Sequence, residues 1–263
     1  MICAYFLIKR HHDYVKLQEQ KAILSEMISA TMPPEEVEET EAPELTEEEE
    51  AEATPAPITI LPEYQSLYEQ NNDFVGWLRI DDTLIDYPVV QTEEYSDKYL
   101  NTDFLGEENS NGTLIMDDHA VVGVGTAETD YAGGVEPSTN MIIHGHNMKS
   151  GEMFGYLPRY ESEEYGKAHN IIYFDSLYEH RTYEVISCFY SQIYYPEDEV
   201  YKYYKFFQAD TQEEFDDWYN NIKEMALYDT GVTAEFGDEF LTLSCCAYHV
   251  EDGRFVVVAK RIY

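Results

Sequence analysis

Positive charge is what this sequence most lacks. Only 16 Lys and Arg stand against 53 Asp and Glu, a formal net charge of −37. A polyanion is repelled by such a chain, which excludes nucleic acid as a partner. Cysteine is scarce as well: Cys3, Cys188, Cys245 and Cys246 are the full set in 263 residues. Four cysteines are too few for a disulfide framework. Two of them are adjacent, and a ring between neighbours is strained, so a free thiol with a chemical task fits better than a staple. Long apolar runs are missing too. The N-terminal run MICAYFLI has eight residues, whereas crossing a bilayer takes about 20. Its positive charges follow the run, which does not make a good signal peptide. It reads either as a ragged helix start or as the C-terminal stub of a membrane anchor. No internal repeat is visible.

What remains is ample for a globular fold, since 44% of the residues are hydrophobic. The acid is unevenly spread. Residues 33–57 hold eleven glutamates and no Lys or Arg, leaving −26 for the rest. Low hydrophobicity and like charges predict an extended, disordered linker there. Before it, residues 13–32 have helical spacing, stopped by Pro33 and Pro34. The organisation expected is therefore a membrane-anchor stub and helix at 1–32, a linker at 33–57 and one compact domain at 58–263.

Inside that domain a short helix at 64–71 leads into Phe74-Val75-Gly76-Trp77-Leu78. Short β-like runs follow at 85–91, 113–116, 141–143, 171–174, 182–195, 239–246 and 254–263, separated by turn-forming residues. Helices are expected at about 151–159 and at 211–227. The second has Thr211 as a candidate N-cap and acids in its first turn, where the helix dipole favours them. The glycine-rich stretch 121–140 reads as a mobile loop. Many short strands with few helices predict a mainly β fold, a closed or nearly closed barrel.

The chemistry concentrates at the C-terminal end. The strand at 239–244 runs straight into Cys245-Cys246, so a thiol at its end is held rigidly at the rim. A cysteine attacks as thiolate and needs a cation or base beside it. Arg254 lies eight residues on, past the turn Glu251-Asp252-Gly253, at the start of the next strand. If the two strands are neighbours, its guanidinium lies beside the sulfur. There it donates and stabilises charge but never acts as a base. The base must come from elsewhere, and His144 and His146, where a strand gives way to a loop, are the candidates. A His-x-His pair is also half of a metal site, with Cys245, Cys246 or His249 as a third ligand. Taken singly, none of these signals is specific.

Together they resemble a known family. Thr242-Leu243-Ser244-Cys245-Cys246 resembles the sortase signature Thr-Leu-x-Thr-Cys. Gly145-His146-Asn147-Met148 resembles the segment around the sortase histidine, and the run from Gly253 to Arg261 resembles the strand carrying the sortase arginine. Asn72-Asp73-Phe74-Val75-Gly76-Trp77-Leu78, Ile85-Asp86-Tyr87-Pro88-Val89-Val90-Gln91 and Tyr99-Leu100-Asn101-Thr102-Asp103-Phe104 look like class B sortases in particular. The likeness covers about 61–263. It implies a closed barrel of about eight strands with peripheral helices. It also implies Cys246 as nucleophile, His146 as acid/base, Arg254 as cationic stabiliser and Ser244 as a substrate contact. Motif register and strand facing favour Cys246 over Cys245, which stands where the signature has threonine. His146 is preferred to His144 by the motif alone.

The same resemblance implies a transpeptidase that cleaves a C-terminal sorting motif of secreted proteins at a Thr-x bond. It would pass through a thioester and transfer the protein to a peptidoglycan amine. It would need no metal or organic cofactor. It would be a monomer anchored by an N-terminal helix at the outer face of a Gram-positive cell membrane, with residues 1–8 as the end of that anchor and 33–57 as a spacer. Two rivals stand beside it: a Cys/His/Arg hydrolase without transfer, and a non-enzymatic metal-binding surface protein. The stretch 121–140, just before the histidine strand, would shape or cover the cleft.

Overall fold

The computed structural model describes residues 2–31, 57–93 and 97–263. The acidic linker expected at 33–57 therefore lies, but for its last residue, outside the described residues. Helix α1 (Ile2–Thr31) and helix α2 (Pro62–Gln70) come first in the chain. Eight strands follow, interrupted by two short helices: β1 (Phe74–Arg79), β2 (Asp86–Val90), β3 (Leu114–Met116) and β4 (Asn140–Gly145), then α3 (Glu163–Ala168), β5 (Ile171–Ser176) and β6 (Thr182–Gln192), then α4 (Gln212–Glu224), β7 (Phe240–Cys246) and β8 (Gly253–Arg261). Among the described residues, α1 has no apolar stretch long enough to cross a membrane.

The strands close into a barrel in the order β1-β2-β3-β4-β7-β8-β6-β5. Closure leaves no unpaired sheet edge. Side chains alternate across each strand, and two different cores take the two faces of β7 and β8. Leu241, Leu243, Phe255, Val257 and Ala259 fill the barrel interior. Phe240, Val256 and Val258 face outward under α4, which covers them with Phe215, Trp218 and Ile222. Those three recur at helical spacing, so one stripe of α4 is apolar. Its start is fixed by a capping box, Thr211 and Glu214 each bonding the other's backbone. Covered on both sides, β7 and β8 read as near-continuous apolar runs.

Three expectations change. The helix extends to the start of the chain, and it packs on the barrel: Leu17 joins the interior core and Leu24 joins a cluster with Tyr64 and Leu67 of α2. Residues 151–159 do not form a helix. Gly151 and Met153 both have positive φ, and Met153 and Phe154 turn inward to full burial. A short 3-10 turn at Leu157–Glu161 is what remains of it. The stretch 121–140 is built rather than loose. Val124 and Val135 exchange both backbone hydrogen bonds. Arg181, 1% exposed, donates to the carbonyl of Val122 at 2.9 Å. Glu179 accepts from the Ala127 N–H at 2.9 Å and the Tyr131 hydroxyl at 3.0 Å. It also pairs with Arg181 and Arg261. Arg261 closes β8 and Glu239 precedes β7, so this clamp sits at the opposite rim from Cys246. The stretch does not cover the thiol end of the barrel.

Candidate active site

Adjacent strands carry Cys246 and Arg254, and His146 follows the end of the neighbouring strand. β7 lies between β4, to which it is parallel, and β8, to which it is antiparallel. Gly145 is level with Cys245, and Cys246 is directly opposite Arg254. His146 follows Gly145, one residue past the end of β4. The side-chain amide of Asn147 then donates to the Cys246 carbonyl at 2.8 Å, which ties the two segments. Facing follows from alternation. Leu241, Leu243 and Cys245 point into the barrel, so Cys246 points out. By the same count Arg254, next to inward Phe255, shares its face.

The two neighbouring thiols have opposite environments. Cys246 is exposed at the strand end, whereas Cys245 is buried within the barrel core. Burial pushes the Cys245 thiol far above the ordinary thiol range, and the nearby Cys246 adds to the rise. Such a thiol stays protonated and is a poor nucleophile. Cys188, also buried in the barrel, is pushed up to about 11 by burial.

His146 is half-buried, and its Nε2 lies 2.8 Å from the carbonyl oxygen of Leu100. A carbonyl only accepts, so Nε2 carries a hydrogen and Nδ1 is the nitrogen left to exchange a proton. The Phe154 N–H donates to the His146 carbonyl at 2.9 Å and fixes the backbone. His144 has a different task. It sits two residues back, level with Ser244, and its Nε2 is 3.0 Å from Asp117 Oδ2. Burial would raise the Asp117 carboxyl, but hydrogen bonds from His144 and the His119 backbone outweigh it and hold Asp117 low.

Arg254 is the second residue of β8, and its Nη1 donates to the carbonyls of Asp252, at 3.1 Å, and Gly253, at 3.0 Å. One arm of the guanidinium is thus held against the turn. Its charge reaches Tyr203, on the segment that joins β6 to α4. Ser244 is 1% exposed, and its Oγ lies 2.7 Å from the Tyr203 hydroxyl. Burial pushes that hydroxyl up to about 12, although Ser244 and Arg254 both pull it down. Ser244 is therefore paired beneath Tyr203 rather than open at the surface.

The metal alternative finds no support in this geometry. His144 and His146 engage Asp117 and the Leu100 carbonyl. Among the described residues, the group of metal-type ligands that converges is Asp117, Asp118 and His119. Against known proteins, a family model described as "Sortase domain" matches residues 78–262. The chain belongs to the class B sortases. Sortase B of Listeria monocytogenes is 30% identical over 205 residues, covering 76% of this chain and 74% of that protein. Sortase B of B. anthracis, solved in complex with AAEK2, superposes with a TM-score of 0.71 at 27% identity, over 94% of this chain and 96% of the other. Sortase B of Staphylococcus aureus, solved as a substrate complex, gives 0.64 at 27% identity over 78% and 86% of the two chains. Sortase B has also been solved with triglycine. This sortase is accordingly a cysteine transpeptidase.

Sequence reasoning did not find Leu100, Asn147 or Tyr203. Leu100 acts through its backbone carbonyl, 46 residues before the histidine, and no side-chain pattern marks such a contact. Asn147 stood inside the quoted motif next to His146. Tyr203 lay in a tyrosine-rich segment with nothing to link it to Ser244.

Proposed function

We propose that this sortase cleaves a C-terminal sorting motif of secreted proteins at a Thr-x bond and transfers the protein to a peptidoglycan amine. The observation that carries the reading is the exposed Cys246 directly opposite Arg254, with the segment after His146 tied to Cys246 by the Asn147 amide. The Cys246 thiolate attacks the threonine carbonyl, forming a C–S bond. Arg254 and backbone N–H groups stabilise the oxyanion. As the C–N bond breaks, imidazolium His146 gives its Nδ1 proton to the leaving amine, and a thioester remains. An incoming amine attacks that thioester, the C–S bond breaks, and His146 takes the amine's proton while Cys246 leaves as thiolate. The cycle returns every group to its starting state. Ser244, buried and held by Tyr203, supports this end of the strand from beneath rather than touching the peptide.

Support for a peptide donor and an amine acceptor comes from the sortase B structures solved with substrate and with triglycine. In keeping with its family, the enzyme works at the outer face of a Gram-positive membrane, where sorting-motif proteins and peptidoglycan amines meet. The compact domain at 58–263 carries the catalysis.

Incubating the full chain with peptides that carry threonine at the scissile position, with and without triglycine, tests this. Formation of a peptide–triglycine product at the expense of free acid is expected. Free acid alone in both reactions would establish the hydrolase instead. No cleavage of any peptide would contradict the reading altogether.

A further inference from the structure

The mechanism leaves α1 without a task, yet this helix is not a loose appendage. Two buried polar side chains lie in its contact with the barrel: Asp13 of the helix and Glu152 of the barrel, with side chains 5% and 3% exposed. They engage the two segments that support His146, one on each side.

On the first side, Asp13 Oδ2 accepts from the Ser110 hydroxyl at 2.6 Å and from the Ser110 N–H at 3.4 Å. Its backbone carbonyl accepts from the side-chain amides of Asn109 and Asn111. This turn closes back on the segment that holds the histidine. The Asn109 N–H donates to Asn101 O, and the Thr113 N–H to Tyr99 O. Between them Gly112, at φ +64, lies flat against the chain: a Cβ there would come within 2.8 Å of the Leu100 carbonyl oxygen. That oxygen is the one that fixes the His146 tautomer. On the second side, Gln18 donates to Glu152 Oε1 at 2.9 Å, and Lys21 lies 3.8 Å from Oε2. Glu152 also accepts from the Tyr87 hydroxyl. Tyr87 in turn accepts from the Met153 N–H at 3.1 Å, and the next N–H, of Phe154, bonds the His146 carbonyl.

We infer that α1 is a positioning element of the active site, setting the orientation and tautomer of His146 from both sides through Asp13 and through Gln18 and Lys21. None of these residues touches the reacting atoms. They act through the Leu100 carbonyl and the 152–154 backbone, so their loss should lower turnover more than substrate binding. A displacement of about 1 Å at a catalytic group is enough to cost about 100-fold in rate.

The inference rests on the transpeptidase reading, and its test separates the two. In the full chain, Asp13→Ala, Asp13→Asn and the double variant Gln18→Ala/Lys21→Ala are compared with wild type. Steady-state kinetics give kcat and KM, thermal melts give the folded fraction, and 15N NMR of the histidines gives the His146 tautomer, assigned with His146→Gln. Expected are a fall in kcat of about tenfold or more in Asp13→Ala and in the double variant, with KM within about twofold, and a mixed His146 tautomer in place of the Nε2-protonated form. Asn keeps an acceptor oxygen for Ser110, so Asp13→Asn should recover most of the rate and the tautomer. Wild-type kcat and tautomer in both disabling variants would overturn the inference. So would a loss of activity that merely follows the folded fraction while the folded protein keeps its tautomer. If wild type itself turns over no peptide, the transpeptidase reading fails, and the NMR comparison still decides whether α1 sets the histidine.

Discussion

At Cys246 the thiol reaches solvent, while one residue earlier the barrel core encloses Cys245 and keeps it protonated. A single step along a strand reverses the face, and the face decides the chemistry. That much could be read from the sequence, because alternation applies to any regular strand. The choice between His144 and His146 could not, because residues two apart share a face. The surroundings differ: His144 lies beside Ser244 and is taken up by Asp117, whereas His146 follows the end of β4, next to Asn147, whose amide bonds the Cys246 carbonyl. Arg254 gains its meaning from the register Cys246–Arg254, which the Glu251-Asp252-Gly253 turn suggested. If its planar fork stabilises the oxyanion, charge alone will not replace it. Arg254→Lys is expected to lower kcat/KM for peptide cleavage by about 100-fold while leaving Cys246 open to alkylation. Activity within about threefold of wild type would show that the arginine serves the fold instead.

Among the elements, the strands were legible and the loops were not. Period-two patterning and turn residues located seven of the eight strands to within a few positions, all but β1, and Thr211 marked the start of α4. Residues 151–159 carry helix-like spacing, but two positive-φ residues and the pull of the core on Met153 and Phe154 override it. The stretch 121–140 was misread for a related reason. Its glycines permit unusual turns, while the partners that anchor it, Glu179, Arg181 and Arg261, lie far away in sequence. Glu179 is central to that anchor. Burial works against its charge, but Arg181, the Ala127 N–H and Arg261 outweigh burial and hold its carboxyl below the ordinary range. A depressed carboxyl contributes stability at pH values above its unfolded pKa, and that contribution is lost as pH falls through the folded pKa. Glu179→Gln strands the buried Arg181 and should cost about 3–5 kcal/mol at neutral pH. Urea unfolding from pH 7 to pH 3 checks this. Wild type should lose stability in acid below about pH 4, and the variant should lack that component. Parallel pH curves for the two proteins would contradict the clamp. Because the clamp lies at the far rim, folded Glu179→Gln should keep wild-type kcat/KM.

Across the whole molecule, one end of the barrel carries the chemistry and the other carries the charged clamp, with α1 laid along the side. Helix α1 is one of two helices that flank the acidic segment. The helices on either side of that segment, α1 and α2, pack together and against the barrel. The two helices thus belong to one body with the barrel. Composition alone hides this, because the contacts of α1 are spread from α2 to Glu152 and form no local pattern. The excess acid suits a surface that must stay soluble and must not bind polyanions. Everything proposed about function depends on Cys246 being the residue that becomes acylated. Intact-mass spectrometry of the full chain, incubated with a threonine-containing sorting peptide and no amine, measures that directly. The mass of the acyl fragment should appear on wild type and on Cys245→Ala, map to Cys246 after digestion, and be absent from Cys246→Ala. An adduct that persists in Cys246→Ala and vanishes in Cys245→Ala would contradict the account.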